Sequence, residues 1–456
     1  MKAEPAAVAR SPSPEPATAV RRYRRTWFSA YVAFVCLPVL LAWLTDPIEL
    51  PRPVVTDVAV ALGFMALALL LVQFALVSRL RPVSRPFGAD VLMQWHRGMG
   101  LVALVFVLAH PLLLAGADWR MWNPFGGAAA VQSGAIALWV TVAIVVSSVA
   151  RKRLLLSYEA WQILHLVAAC LITVTALWHV LAIGVYARAP LVRGTLIAYA
   201  GLLATLLLRY RVMRPVGLLT RPWRVVSNDD IGGSVRLLRV RPDGHPGLRF
   251  EGGQFAWLMT GSTPLISAQH PLSIASSAVP DDAADLEFAV KALGDWSGGT
   301  VPALRPGRRL WVDGPYGGFT PDPASSRPLV LIAGGIGIVP ARSILLTMRD
   351  RGDTRQVHLF YAASDWSRVV FRNEIADLER TLDVHVSYVF ENPDPDWTGE
   401  RGFITADMLR RRLPPALAEC EFFVCGPVPM IDALERTLTT LGVPTSRIHT
   451  ERFQMV

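Results

Sequence analysis

Hydrophobic and polar positions divide the chain into two unlike halves. Six runs with few or no charges occupy about 27–45, 54–77, 91–115, 131–150, 158–184 and 194–209. Most reach the ~20 residues that a helix needs to cross a bilayer core. The sixth is the weakest, because only 195–208 is free of charge. From about 218 the pattern shortens into alternating runs broken by Gly and Pro: VRLLRVRP (235–242), EFAVKAL (287–293) and RLWVDGP (309–315). That alternation predicts a small antiparallel β-barrel over 218–322. From 326 to 456 it changes again. PLVLIAG (328–334), VHLFYAAS (357–364), VHVSYVF (384–390) and EFFVCGP (421–427) read as buried strands, with amphipathic helices at ARSILLTMRD (341–350) and FRNEIADLER (371–380). Strand and helix in alternation predict an α/β doubly wound parallel sheet. The fold class is thus multi-domain: an all-α six-helix transmembrane bundle over 27–211, the barrel, and the α/β domain. Residues 1–26, rich in Pro, Ala and Ser at their start, read as a disordered cytoplasmic tail.

Composition sharpens this picture. Of 456 residues 52% are hydrophobic and 18% charged, which excludes a disordered or simply soluble chain. The formal net charge of +9 would suggest nucleic acid, but the basic clusters RRYRR (21–25), RKR (151–153) and RYR (209–211) flank the apolar runs. They are the basic loops of a membrane protein, and no nucleic-acid partner is expected. The loops after the second and fourth runs carry Arg79, Arg81, Arg85, Arg151, Lys152 and Arg153. The opposite connections hold only Arg52, Arg120, Arg188 and Arg193. Both termini are therefore expected in the cytoplasm of a multi-pass protein of the cell membrane, with lipid as its solvent. Cys36, Cys170, Cys420 and Cys425 form no disulfide or zinc framework, and no CxxCH occurs, so any haem is held without thioether links.

The histidines say what the helices do. Four of nine lie in the apolar runs: His96 and His110 in the third, His165 and His179 in the fifth. Each pair is 14 apart, a spacing that returns a helix to within about 40° of one face and climbs about 21 Å. The two helices run in the same direction, so His96 faces His165 near the cytoplasm and His110 faces His179 near the outside. Two stacked bis-histidine sites suit two b-type haems. Isolated membrane histidines more often bond neighbouring helices, but four at two identical spacings favour iron ligation. Arg97 is either a partner for a haem propionate or a snorkelling residue at the helix end.

The second half carries three weaker signals. HPLSIASS (270–277) ends a strand in small hydroxyl residues, which suit a flavin ring and its phosphate chain. GDWSGGT (294–300) places glycines and hydroxyls at a helix start, which suits a pyrophosphate. GGIGIVP (334–340) lets Gly334, Gly335 and Gly337 bring backbone close to a diphosphate, but ends in Pro340 where the usual dinucleotide fingerprint has a third Gly.

WHRGMGLVALVFVLAHPLLL (95–114) and WQILHLVAACLITVTALWHV (161–180) resemble the paired-histidine helices of the ferric reductase and NADPH oxidase superfamily. With the second half included, the resemblance covers all but the N-terminal tail. It implies an inner haem on the first histidine of each helix and an outer haem on the second. HPLS, GDWS and DGPYG (313–317) resemble the flavin motifs of the same superfamily, and GxGxxP with a late CGP turn resembles a ferredoxin-reductase-type nicotinamide module. FAD contacts are thereby implied for His270, Pro271, Leu272, Ser273, Ser276, Gly294, Trp296 and Ser297. His270 stands where many soluble reductases have Arg, which suits a flavin-ring neighbour better than a phosphate ligand. NAD(P) contacts are implied for Gly334, Gly335, Gly337, Pro340, Cys425, Gly426 and Pro427. Ser364 and Arg368 fall where the family reads the adenosine ribose; Arg and Ser suit NADPH, whereas Asp365 suits NADH, and the choice stays open. The resemblance also implies catalytic roles for Cys425, at the nicotinamide, and for Phe453, as an aromatic covering the flavin face. The expected activity passes electrons from cytoplasmic NAD(P)H through FAD and two haems b to an outer acceptor, oxygen or a ferric chelate. A quinone or protein acceptor, and a haem-free membrane anchor for a flavin reductase, are the alternatives.

Overall fold

The computed structural model describes residues 17–45, 53–78, 89–115, 118–151, 153–154, 158–265, 267–279 and 285–452. The chain divides into two compact units at Arg214 and Pro215. The first is helical: α1 (Ala17–Leu44), α2 (Val54–Val77), α3 (Ala89–Ala115), α4 (Ala129–Ala150), α5 (Tyr158–Ile183) and α6 (Pro190–Leu207). Among the described residues, 6 helices are long and apolar enough to cross a membrane. Two boundaries differ from the hydropathy reading. α1 starts at Ala17, inside the stretch expected to be disordered, because 17–25 holds neither Pro nor Gly and is mostly Ala and Arg, both good helix formers. α6 starts at Pro190, where the fixed φ of proline suits a first turn, and runs on through a π-turn (Leu208–Met213) to Leu219. Arg209, Arg211 and Arg214 interrupt the hydropathy of that helix but not its backbone.

Within this unit α2 lies along α3 and α4 along α5. α1 and α6 are joined by the Tyr199 hydroxyl, which donates to the Phe34 carbonyl at 2.6 Å while the two rings stack at 3.8 Å. Phe64, Leu67, Leu71, Val192 and Leu196 fill the space between α2 and α6.

The second unit holds two sheets. β1 (Pro222–Asp230), β2 (Val235–Pro242), β3 (Phe255–Met259), β4 (His270–Ser273), β5 (Leu286–Lys291) and β6 (Arg309–Tyr316) form an antiparallel sheet in the order β4-β3-β6-β1-β2-β5. The sheet curls until its edges touch at one bridge, Ile274 to Phe288, so the expected barrel is a nearly closed one. Its core is made by Trp223, Leu238, Val240, Leu258 and Phe288, all on inward positions of alternating strands.

β7 (Leu329–Gly334), β8 (Val357–Ala363), β9 (Val384–Phe390), β10 (Glu400–Arg401), β11 (Glu421–Gly426) and β12 (Ile448–Arg452) form the parallel sheet, ordered β10-β9-β8-β7-β11-β12. The central strands β7 and β11 are buried at every position, which is why they read as unbroken apolar runs. α7 (Ile338–Arg351), α8 (Arg372–Thr381), α9 (Ala406–Arg412) and α10 (Val428–Thr440) complete the unit. The chain winds outward from β7 to β10, then returns to β11 on the other side of β7. The strand order reverses there, and the crevice at the ends of β7 and β11 is where such sheets take ligands.

One tight contact lies at the end of the barrel domain, beside Ile344 of α7. Gly253 has φ +93°, and a Cβ there would lie 2.0 Å from the Phe319 carbonyl oxygen. Gly253→Ala should therefore cost about 2 kcal/mol or more, a drop of several degrees in the thermal midpoint of the second unit. Differential scanning of the purified chain checks this; an unchanged midpoint would mean that the loop relaxes freely.

Candidate functional site

In the helical unit the rings of His96 and His165 face each other with centres 6.1 Å apart, and those of His110 and His179 at 6.3 Å. A metal–imidazole bond is about 2 Å and the nitrogen lies roughly 1 Å from its ring centre, so one metal between two rings needs centres about 6 Å apart. Both pairs meet that requirement. Among the described residues no group of three or more His, Cys, Asp or Glu side chains could hold a metal ion. A metal at either pair must bring its own remaining ligands, as a porphyrin does.

The His110 and His179 rings are each held through Nδ1. His110 Nδ1 lies 2.7 Å from the Ala59 carbonyl, and His179 Nδ1 lies 2.7 Å from the Ala130 carbonyl. A carbonyl only accepts, so Nδ1 carries the proton and the Nε2 lone pair is left for a metal. Four residues on from each carbonyl is a glycine against the same ring. A Cβ on Gly63 would lie 2.8 Å from His110, and one on Gly134 would lie 2.6 Å from His179. Sequence reasoning missed both glycines, since a lone Gly in an apolar helix carries no signal of what it faces. The His96 and His165 rings meet side chains instead: one end of the Gln73 amide is 2.7 Å from His96 Nδ1, and Ser148 Oγ is 3.4 Å from His165 Nδ1.

In the second unit the flavin-like segments come together. His270, at the start of β4, stacks on Trp296 with centres 3.7 Å apart and planes 12° from parallel. Trp296 Nε1–H donates to Thr260 Oγ1 at 3.0 Å, fixing the indole. Pro271 and Leu272 sit in the ladder opposite Trp257 and Ala256. Ser273 closes the strand with a buried hydroxyl that makes no hydrogen bond. An orphan of that kind costs ~1–3 kcal/mol unless a ligand takes it up. Ser276 Oγ accepts from the Glu287 N–H at 3.3 Å. Ser297 is occupied: its hydroxyl accepts from the N–H groups of Leu293 and Gly294 at 2.9 and 3.0 Å, closing the turn in front of Trp296.

At the reversal of the parallel sheet, the glycine loop and the CGP turn form one surface. A Cβ on Gly337 would lie 2.1 Å from the Cys425 carbonyl oxygen, and one on Gly334 would meet Met430 and Pro427 at 2.7 and 2.9 Å. These two glycines, with Gly426 packed on Gly334, admit the chain itself. Gly335, in a left-handed conformation at φ +55°, is the open one, and the nearest atom to a Cβ there is Lys291 Nζ at 4.0 Å. Lys291, at the end of β5, places a positive charge beside this loop, and the sequence motifs did not include it. Pro340 is buried in the first turn of α7. The Cys425 thiol is pushed up by its complete burial and by the nearby Glu451 carboxylate, and it stays protonated. Glu451 also comes close to the flavin-like DGPYG turn, its Oε1 lying 3.7 Å from a Cβ on Gly317. Ser364 and Arg368 stand exposed after β8. Between them Asp365 accepts from the Ser367 N–H at 2.8 Å, and the Ser367 hydroxyl holds its carboxyl below the usual range. Phe453 lies outside the described residues.

Comparison with known proteins agrees with both halves. Residues 62–188 match the family described as ferric reductase like transmembrane component, and 331–436 match the oxidoreductase NAD-binding domain. The reductase component of propane 2-monooxygenase from Rhodococcus jostii is 32% identical over 48% of this chain and 59% of its own length. The chain thus spans a little over half of that relative. Ferredoxin–NADP reductase B of Sorangium cellulosum is 30% identical over 50% of this chain and 96% of its own length. Among solved structures, a ferredoxin reductase in carbazole 1,9a-dioxygenase aligns with 51% of this chain and 69% of its own at 28% identity, with a TM-score of 0.45.

Two substitutions test the geometry. Ser273→Ala should weaken FAD retention by about 1.5–3 kcal/mol, ten- to a hundredfold, with the thermal midpoint of the protein unchanged. Flavin fluorescence released after gel filtration measures it, and full retention would assign the buried hydroxyl elsewhere. Lys291→Met should raise the dissociation constant for NADP⁺ and NAD⁺ about tenfold, by loss of one charge-assisted contact. Titration calorimetry showing equal affinities would place the diphosphate away from Gly335.

Proposed function

The chain belongs to the ferric reductase-like superfamily, with a ferredoxin-reductase-type NAD-binding module as its second half, and from that premise we propose that it carries reducing equivalents from NAD(P)H across a membrane. It is a multi-pass membrane oxidoreductase in which the nucleotide half collects electrons and the helical half delivers them to an acceptor on the opposite face, molecular oxygen or a ferric chelate. The observation that carries the reading is the pair of facing imidazoles repeated along α3 and α5, at 6.1 and 6.3 Å. FAD would split the two-electron hydride into single electrons, and two haems b would relay single electrons through the bilayer.

The residues of the chain have distinct tasks in this scheme. His96 with His165, and His110 with His179, would hold the two irons through Nε2, while Ala59 and Ala130 keep the proton on Nδ1 of the outer pair. Ser273, His270 and Trp296 would hold the flavin against β4. Gly335 and Lys291 would take the dinucleotide diphosphate at the start of α7. Cys425 and Glu451 border the place where the nicotinamide meets the flavin, one as a neutral thiol and the other as a carboxylate. Arg79, Arg81, Arg85 and the 151–153 cluster put the nucleotide half in the cytoplasm by the excess of basic residues in those loops. Asp365 and Arg368 favour opposite nucleotides, and titration with both decides between NADH and NADPH.

The test is direct. The dithionite-reduced protein should show a six-coordinate b-type spectrum, and the pyridine haemochrome assay should give two haems per chain. His110→Leu should leave one haem. Gly134→Leu, which drives a side chain into the His179 ring, should do the same without replacing a ligand. No haem in the wild-type chain would remove the proposal, and two haems in His110→Leu would remove the outer site.

A further inference from the structure

A chain of buried charge lies outside the cofactor motifs. Arg342 lies at the start of the second turn of α7, two residues after Pro340. It is 7% exposed, although it carries a charge. Its guanidinium donates from Nη1 to Glu287 Oε2 and to the Ala275 carbonyl, both at 2.8 Å, and from Nε and Nη2 to Glu374 at 2.7 and 3.0 Å. Phe371, just before α8, lies over the guanidinium face with its centre 4.5 Å from the central carbon. Glu287 accepts in turn from Arg239 of β2 at 2.6 Å. Burial works against the Glu287 charge, but Arg342 and Arg239 outweigh it and hold the carboxyl below the usual range.

The same helix reads the backbone of one short segment. Ser343 Oγ donates to the Ser276 carbonyl at 2.7 Å, and the Ala278 N–H donates to Thr347 Oγ1 at 2.9 Å. Across from them, a Cβ on Gly252 would lie 2.8 Å from Thr347 Oγ1, so α7 rests directly on barrel backbone. Arg342, Ser343 and Thr347 therefore bind three backbone groups within 275–278. That segment begins two residues after Ser273, and α7 begins immediately after the glycine loop.

A buried ion pair is a poor source of stability, because desolvation offsets most of its attraction; an apolar replacement of similar volume is often as stable. What an apolar contact does not supply is a fixed register, since it tolerates sliding where a forked guanidinium does not. We infer that Arg342 is a positioning residue that locks the nicotinamide loop to the flavin segment, so that the two cofactor sites are held at one separation. The inference rests on the flavin and nicotinamide reading given above and names the device that sets their geometry. Misplacing reacting groups by about 1 Å costs on the order of a hundredfold in rate, so the effect of loosening the lock falls on hydride transfer more than on binding.

The experiment uses the full-length protein in detergent, loaded with FAD. Arg342→Met and Ser343→Ala are compared with wild type by hydrogen exchange of the 275–279 peptide and by the rate of flavin bleaching at saturating NADH and NADPH. In Arg342→Met, exchange at the Ala278 amide should be at least tenfold faster and the limiting bleaching rate at least tenfold lower. Flavin content and nucleotide dissociation constant should stay within about threefold. Ser343→Ala, which removes one hydroxyl, should slow bleaching about threefold. Wild-type bleaching rates in both variants would overturn the inference, and so would loss that lies wholly in nucleotide affinity. If Arg342→Met does not fold, Ser343→Ala decides alone. Wild-type flavin bleached by neither nucleotide would overturn the reading of the site itself.

Discussion

Everything in the helical half depends on one constraint: a bilayer interior has no water with which to satisfy an imidazole. Each ring nitrogen must find a partner within the protein, and the choice of partner decides which nitrogen is left over. For His110 and His179 that partner is a backbone carbonyl on the neighbouring helix. A carbonyl whose own helix bond is already made still has a second lone pair to offer. The ring reaches it only where the helix surface is cut back, and Gly63 and Gly134 are the cuts. The packing of α2 on α3 and of α4 on α5 is therefore part of the chemistry of the histidines, since it fixes a tautomer as well as a distance.

The second half solves a different problem, that of bringing two loops from two sheets to one place. The barrel contributes β4 and the turn at Trp296; the parallel sheet contributes the ends of β7 and β11. Small residues let the ends of β7 and β11 close on each other: Gly334 against Gly426, and Gly337 against the Cys425 carbonyl. Polar contacts then fix what small residues only allow, through the indole of Trp296 on Thr260 and the serine and threonine of α7 on 275–278. Of the three glycines in the nicotinamide-like loop, Gly334 and Gly337 are used for this internal closure, and Gly335 remains open.

What could be read in the sequence follows from the range of each interaction. The histidine spacing was legible because both members of a pair share one helix, and a 14-residue step is a local property. Their neighbours were not, because Gly63 meets His110 across 47 positions of chain and nothing in either local pattern points to the other. Strands β2 and β9 were legible to the residue, since alternation and burial leave their marks on every position. The strand order of each sheet was not, for pairing is set by long-range packing. α6 ran beyond its apolar stretch because Arg is a good helix former even where it is a poor membrane residue. Ser297 shows a subtler limit: a hydroxyl in a phosphate-like motif also suits its own backbone, and here the backbone has it.

The state of Cys425 has a consequence for durability. Only a thiolate reacts readily with peroxides or alkylating reagents, and the first step of sulfur oxidation begins from that anion. Burial to 1% exposure and a carboxylate neighbour keep this sulfur protonated and out of reach. A cysteine so enclosed can thus remain in its reduced form for long periods. Burial and the carboxylate of Glu451 act, in that sense, as a corrosion barrier around the Cys425 sulfur.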